Sequence, residues 1–178
     1  MNPLHRTLIS KLYTKSVANQ YVPNNPNEHV ILDEKVIRVH EPIENSSLYE
    51  AAEMELLQIL YGLEKDGFLK LLQITPNGTN VKQLLERLGK KTLKNSVEAT
   101  NKKWKEQENV GSEITIKVYW QNNLFHFQII NNGVESSTEP KITRAAKSAG
   151  WESTVSNQKS GGTAITFVLP IKPNPALN

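Results

Sequence analysis

Two runs of alternating polar and apolar residues, "EITIKVYW" at 113–120 and "LFHFQII" at 124–130, constrain the fold of this chain more than any other feature. Alternation with a period of two is typical of strands that bury one face. Only "QNN" separates the two runs, which predicts that they pair as a hairpin. The chain is therefore expected to build a sheet here and to cover one face of it.

The C-terminal part of the chain continues the strand pattern. "WESTVS" predicts a strand, "NQKSGG" a turn, and "TAITFVLP" a final strand. We expect the apolar positions of the alternating strands to be buried: Ile114, Ile116, Val118, Phe125, Phe127, Ile129, Ile165, Phe167 and Leu169. The expected architecture is an α/β (α+β) two-layer sandwich, with a mixed, mostly antiparallel sheet and helices on one face.

Three segments after residue 45 have helical spacing. The best-defined helix is expected at 47–66, with Ser46 or Ser47 as N-cap and Glu50 placed for a capping box. A second helix is expected from about 80 to 105, capped by Thr79 or Asn80, and "KITRAAKSAG" predicts a short third helix that ends at a glycine. "FLKLLQI", which follows Gly67, either extends the first helix or forms a strand, with Gly67 favouring a break.

The second helix carries one polar residue of interest. Its apolar positions are spaced by three and four residues, and Asn95 falls in line with the leucines of that face. A buried amide needs a hydrogen-bond partner or a ligand. Asn95 is therefore either a functional residue or, without a function, a satisfied core amide or a semi-exposed residue.

The N-terminal segment reads as an extension. Residues 2–20 predict a short amphipathic helix, and "VILDEKVIRVHEP" predicts strand material with a hairpin around Asp33-Glu34. We therefore divide the chain into an N-terminal helix, arm and strand segment at 1–45 and an α/β domain at 46–178.

Composition excludes several classes of function. The 178 residues contain no cysteine, which excludes disulfides, thiol catalysis and cysteine-ligated metal. The four histidines show no metal-ligand spacing, so no metal site is expected. No apolar run approaches the roughly 18 residues of a membrane span, and no secretory signal is evident. We expect a cytoplasmic protein that does not enter a membrane.

Charge is unevenly distributed although the net charge is only +3. Residues 44–66 are mostly acidic and residues 82–105 mostly basic. The simplest interpretation is two solvated helix faces that attract each other. The alternative is a patch for nucleic acid or an acidic partner on the basic helix 82–105. Nucleic acid is the less favoured partner because no aromatic residue interrupts 82–103.

Three stretches in fixed order carry a resemblance: "KTLKNSVEAT", "IKVYWQNNLFHFQIINNGV" and "AAKSAGWESTVSNQKSGGTAITFVLP". Together they resemble the ATP-binding domain of sensor histidine kinases and their superfamily, which includes gyrase and anti-sigma kinases. The resemblance spans about residues 75–170. It implies a nucleotide site formed by Asn95, Asn131, Gly133, Gly161, Gly162 and Thr163, with Lys91 as a phosphate contact.

The chain departs from that family at the positions that matter for catalysis. Asn131 stands where active members have an acid that reads the amine of adenine, and Lys91 stands one turn before Asn95, where hydrolysing members have an acid. Only the seven residues "VESSTEP" separate Gly133 from the next predicted helix, where active kinases have a long glycine-rich lid. In an alternative register of the helix, Lys91 replaces the magnesium-binding asparagine.

These departures imply no catalytic residues and a weak or absent site for ATP and magnesium. The favoured hypothesis is a degenerate histidine-kinase-like domain that acts as a protein-interaction or signalling regulator. A protein partner is then expected, with a homodimer through the helix at 47–66 as one possibility. The alternative is an ATP-binding, anti-sigma-type kinase that tolerates Asn131.

Overall fold

A six-stranded sheet is the frame of the fold in the computed structural model, which describes residues 6–11, 29–40, 43–72, 80–107, 111–134, 140–158 and 161–170. The strands lie in the order β1-β2-β3-β4-β6-β5, and every pair of neighbours is antiparallel. Their bounds are β1 Arg6–Lys11, β2 Val30–Val39, β3 Ser112–Gln121, β4 Leu124–Asn131, β5 Glu152–Asn157 and β6 Thr163–Pro170. The predicted α+β class is confirmed.

The hairpin of β3 and β4 is confirmed at its expected place. Asn122 and Asn123 form its two-residue turn with φ angles of 55° and 59°. Tight hairpin turns that match the twist of the strands require positive φ at both central residues, and asparagine tolerates this better than most residues. The pair of asparagines therefore sets the register of the hairpin.

Three α-helices, α1 Asn45–Lys65, α2 Val81–Glu106 and α3 Pro140–Ser148, pack on one face of the sheet. Gly67, with a φ of 82°, ends α1, and a short 3-10 helix, Phe68–Leu71, follows. Asn80 caps α2 as predicted, because its Oδ1 accepts a hydrogen bond of 3.1 Å from the backbone N–H of Gln83. None of the helices described is both long enough and apolar enough to cross a membrane.

The core forms between the helices and the sheet. All nine strand residues expected to be buried are at most 4% exposed: Ile114, Ile116, Val118, Phe125, Phe127, Ile129, Ile165, Phe167 and Leu169. Phe127 and Phe167 stack with their ring centroids 6.1 Å apart. Gly89 on α2 lies where α1, α2 and β4 approach closely. A Cβ at this position would lie 2.9 Å from Cδ2 of Leu56 and 3.3 Å from the Phe127 ring.

Ion pairs join the acidic helix to the basic helix. Nζ of Lys82 on α2 lies 3.2 Å from a carboxylate oxygen of Glu64 on α1. Nζ of Lys90 on α2 lies 3.5 Å from a carboxylate oxygen of Glu53 on α1, and 2.9 Å from one of Glu86 on α2 itself. The expected attraction between α1 and α2 is present. Because these pairs are partly exposed, each contributes only about 0–1 kcal/mol, and the apolar core carries the packing.

The helix predicted over residues 2–20 is wrong for residues 6–11, which form β1; the rest of that prediction lies outside the described residues. β1 pairs with β2 along its whole length, from Arg6 opposite Val39 to Lys11 opposite Glu34. Isolated short helices are marginal in water, whereas pairing satisfies the backbone groups at the edge of β2. The extension therefore adds to the main sheet.

Two local predictions near the start of the domain are also wrong. β2 is continuous, and the expected hairpin at Asp33-Glu34 is instead a shift of register between Ile31 and Asp33. Helix α1 begins at Asn45 after an N-cap at Glu44 that makes no side-chain capping bond, so neither Ser46 nor Ser47 is the cap. The side chain of Asn45 instead accepts a hydrogen bond from Nδ2 of Asn101 on α2.

The opposite face of the sheet carries a stack of rings. The ring of Tyr119 lies between His126, at 4.6 Å, and His29, at 4.8 Å between centroids. Nζ of Lys117 lies 5.0 Å from the centroid of the Tyr119 ring. Burial lowers the pKa of His126, whose Nε2 lies 3.2 Å from the carbonyl oxygen of Gln121. His126 is thus a packed strand residue, as its place in the alternation predicts.

Candidate functional site

The residues of the expected nucleotide site meet where β4 ends and β6 begins, against the middle of α2. Asn131, the last residue of β4, is the sheet partner of Thr163, the first residue of β6. A Cβ on Gly162 would lie 1.9 Å from the carbonyl oxygen of Asn131, so the turn before β6 passes directly over the end of β4. The fold brings Asn131, Gly133, Gly162 and Thr163 to one place.

Asn131 is buried, with 4% of its surface exposed, and its amide is used within the fold. Its Oδ1 accepts the backbone N–H of Gly133 at 2.9 Å. Its Nδ2 donates to Oγ of Ser96 on α2 at 3.3 Å. Because a backbone N–H can only donate, the first bond fixes which end of the amide is oxygen, and the second bond then runs from Asn131 to Ser96.

The hydroxyl groups of α2 beside Asn131 donate their hydrogens to carbonyl oxygens of the helix itself. The hydroxyl of Ser96 donates to the carbonyl oxygen of Thr92 at 2.9 Å, and the hydroxyl of Thr92 donates to the carbonyl oxygen of Leu88 at 2.8 Å. Ser96 has one hydrogen to give and gives it to the helix, so it can only accept from Asn131. An amide, which donates, fits this position; a carboxylate, which only accepts, does not.

Gly133 packs directly on the backbone of α2. A Cβ at this position would lie 2.3 Å from the carbonyl carbon of Ala99. The next residue, Val134, donates its backbone N–H to the carbonyl oxygen of Ala99 at 3.1 Å. The glycine is therefore required for the end of β4 to lie against the helix, a purpose that needs no nucleotide.

Gly161 and Gly162 form the turn between β5 and β6 with φ angles of +93° and +96°. Such angles favour glycine whether or not a ligand is present. Nζ of Lys103 on α2 lies 2.6 Å from the position that a Cβ of Gly161 would take. A cation thus stands beside this turn. The sequence interpretation counted Lys103 among the basic residues of the helix at 82–105 but did not place it at this turn; its spacing of about two turns from Ser96 along α2 is the signal that could have done so.

The two remaining predicted residues lie on other faces of α2. Asn95 is half-buried and makes no side-chain hydrogen bond with the residues described, while Lys91 is exposed. Neither takes part in the hydrogen bonds of Asn131. In the described ranges, no group of three or more histidine and acidic side chains is placed to hold a metal ion.

A second polar cluster lies under α1, away from these residues. Nζ of Lys35 lies 3.9 Å from a carboxylate oxygen of Glu55, and both side chains are buried. On the same face of β2, Oδ1 of Asp33 is buried and makes no hydrogen bond with any residue that the structure describes. Burial raises the pKa of Asp33, and the ammonium of Lys35 opposes part of that rise. The sequence interpretation missed this cluster because it treated Asp33-Glu34 as a turn.

An open groove of about 390 Å³ lies between the start of α1 and the middle of α2. Its lining residues are Asn45, Ser46, Tyr49, Lys94, Val97 and Glu98. None of the residues expected to bind nucleotide lines it. Burial, followed by the carboxylate of Glu53, raises the pKa of Tyr49, so the phenol on this wall of the groove keeps its proton to higher pH than an exposed tyrosine does.

Neither the comparison with protein-family models nor the comparison with curated proteins gives a match to this chain. The hydrogen bonds and packing described above are thus the basis on which a function is proposed.

Proposed function

We propose that this protein is a non-catalytic, degenerate histidine-kinase-like domain of the cytoplasm that regulates other proteins by binding them. The observation that carries the proposal is the buried amide of Asn131. Both of its ends are engaged inside the fold, with Gly133 and with Ser96. An adenine amine would have to reach an oxygen that is buried and that already accepts the backbone N–H of Gly133.

The surroundings of Asn131 support the same conclusion. The end of β4 lies against the backbone of Ala99, so the side of Gly133 that faces the helix has no room even for a methyl group. Lys91, one turn before Asn95, is a cation at neutral pH and cannot act as the base for hydrolysis. A rigid scaffold remains, with exposed helix surfaces for protein contacts.

Titration of magnesium-ATP and magnesium-ADP by calorimetry, with phosphate release measured in parallel, tests the proposal. We expect no saturable heat at nucleotide concentrations up to about 1 mM, the range of weak non-covalent binding, and no phosphate release. The variants Asn131→Ala and Asn95→Ala are compared with Gln83→Ala, an exposed amide of α2 away from the predicted site. Micromolar binding that both site variants abolish and Gln83→Ala retains would refute the proposal and establish the kinase alternative.

Nucleic-acid binding is a second candidate, and one observation favours it. Five cationic side chains are exposed along α2, and none forms an ion pair with a residue that the structure describes: Arg87, Lys91, Lys94, Lys102 and Lys105. Glu98 interrupts this row. Binding through such a row would weaken steeply with salt, since each phosphate contact releases a counterion.

Fluorescence anisotropy with a labelled single-stranded oligonucleotide tests the second candidate. Binding that falls more than about tenfold between 50 and 200 mM salt, and is lost in Lys94→Glu with Lys102→Glu, would support it. The matched control is Lys82→Glu with Lys90→Glu, which changes the same charge on the lysines that pair with acidic residues. Equal loss in both double variants would reject a specific role for the exposed row.

A further inference from the structure

Helix α1 presents an apolar stripe to solvent. Across the residues that the structure describes, the exposed large apolar side chains are Met54, Leu57, Tyr61 and Val155, and the first three share one face of α1. Met54 is 56% exposed and Tyr61 is 63% exposed. Their spacing of three and four residues places them in a continuous row. Concentrated apolar exposure of this kind marks an interaction surface more often than scattered exposure does.

The stripe is bounded by opposite charges at its two ends. Glu50 stands one turn before Met54, and Lys65 stands one turn after Tyr61. Both are exposed, and neither forms an ion pair with any described residue. Two other acidic side chains of α1, Glu53 and Glu64, differ from Glu50 because each forms an ion pair with a lysine of α2.

We propose that this stripe, from Glu50 to Lys65, binds the same stripe of a second copy of the chain with the two α1 helices antiparallel. An axis between Leu57 and Gln58 places Met54 opposite the partner's Tyr61 and places Glu50 opposite the partner's Lys65. Each contact then occurs twice, as twofold symmetry requires. One register satisfies both the apolar side chains and the terminal charges.

The parallel arrangement does not have this property. Two parallel α1 helices related by a twofold axis place Glu50 near the partner's Glu50 and Lys65 near the partner's Lys65. Like charges that face each other are unfavourable, and no described residue neutralises either of them. The charge pattern of this one helix therefore selects the antiparallel orientation.

The contact is small. One helix face buries less than the roughly 800 Å² per partner of a standard stable interface. The dimer is therefore weak and reversible, with dissociation in the micromolar range or above. The proposed dimer rests on the proposed function, in which the domain acts by binding proteins, and it names one such protein as a second copy of the chain. The nucleotide titration is independent of it, so failure of either can be recognised separately.

Sedimentation equilibrium over a range of concentrations tests the dimer and its register. We expect a reversible monomer–dimer equilibrium that weakens at least tenfold in Glu50→Lys and in Lys65→Glu, because each variant places like charges opposite each other. The double variant Glu50→Lys with Lys65→Glu restores opposite pairs and is expected to recover the dimer. A matched control is Lys105→Glu, an exposed cation on α2, which should leave the equilibrium unchanged.

Disulfide trapping provides a second readout, since the chain has no cysteine of its own. In the antiparallel register Leu57→Cys lies beside the twofold axis and forms a covalent dimer on oxidation. Position 50 lies about 10 Å along the helix from position 57, at 1.5 Å per residue, so the two copies of Glu50→Cys are too far apart to join. Circular dichroism and unfolding of each variant confirm that it is folded.

The outcomes separate the alternatives. A folded protein that remains monomeric at the highest concentration refutes the proposal. A dimer that Met54→Glu with Tyr61→Glu leaves intact also refutes it, because the contact then lies elsewhere. Covalent trapping at position 50, with no weakening of the dimer in either single charge variant, shows a parallel pair and refutes the register.

Discussion

Replacing Asn131 by aspartate restores the acid that active members of the resembled family carry, and the structure predicts that the fold opposes it. Nδ2 of Asn131 donates to Ser96, whose own hydrogen is committed to the carbonyl oxygen of Thr92. In Asn131→Asp an oxygen replaces that donor, so two acceptors face each other. Ser96 must then either leave its helix bond or leave the new carboxylate oxygen without a partner.

The expected cost follows from these bonds. One hydrogen bond is lost, and a buried charged oxygen loses its partner, while the bond from the N–H of Gly133 becomes stronger because its acceptor is charged. The net expectation is a loss of about 2–4 kcal/mol in the free energy of unfolding at pH 7.

The pH dependence of that loss is a sharper test. Burial raises the pKa of the new carboxyl group above its value in the unfolded chain. A group with a raised folded-state pKa stabilises fully below its unfolded pKa and loses that contribution as pH rises through the folded pKa. Protonated, the carboxyl donates to Ser96 as the amide does. The deficit against the wild-type protein should therefore shrink as pH falls from 7 toward about 4.

Urea denaturation at both pH values measures these effects, with Asn95→Asp as the control. Asn95 is half-buried and makes no described side-chain hydrogen bond, so the same change there should cost less than about 1 kcal/mol. An Asn131→Asp protein as stable as the wild type at pH 7 would contradict the direction assigned to the hydrogen bonds. So would a deficit that is identical at both pH values.

Three further variants test the core, a buried charge and a close contact. Phe127→Ala should cost about 3–5 kcal/mol because the ring is fully buried, and a loss below about 1 kcal/mol would show that the wrong face is assigned to the core. Asp33→Asn removes a carboxyl whose pKa is raised in the folded protein, and a raised pKa costs the wild type stability as pH rises. The free energy of unfolding of the variant should therefore increase relative to that of the wild type between about pH 4 and pH 7. A difference that stays constant in urea titrations would disprove this. Gly133→Ala should lower the thermal midpoint strongly or prevent folding, because its Cβ would meet the backbone of Ala99. Gly62→Ala has open space in α1 and should increase the free energy of unfolding by up to about 1 kcal/mol. Similar midpoints for the two variants would exclude the contact at Gly133.

The elements that follow from local pattern were predictable from sequence, and those that depend on distant partners were not. The alternation around Asn122-Asn123 predicted the hairpin, and Asn80 predicted the start of α2, because both signals act over a few residues. The cap of α1 was misjudged because the side chain of Asn45 bonds to Asn101, far away in sequence. β1 was misjudged because its partner, β2, determines its conformation.

The candidate site shows the same division. The resemblance implied that Asn131, Gly162 and Thr163 share a site, and the structure places these three residues beside one another at the ends of two strands. The direction of the bond from Asn131 to Ser96 depends on where the hydrogen of Ser96 goes, and no pattern in the sequence encodes that. The inward-facing Asp33 was hidden for another reason, since a charge at an apolar position of a strand looks like a break in the pattern.

The dipeptide Asn132-Gly133 has a consequence for the chemical ageing of the protein. In flexible chains an asparagine before glycine deamidates readily, because the nitrogen of the glycine attacks the asparagine side chain. Here Asn132 is held at both ends, by the N–H of Glu113 at 2.9 Å and the carbonyl oxygen of Gly111 at 2.7 Å, and the N–H of Gly133 is bound to Asn131. Attack requires the end of β4 to open first, so conversion of Asn132 to aspartate during storage records how often this corner of the molecule unfolds.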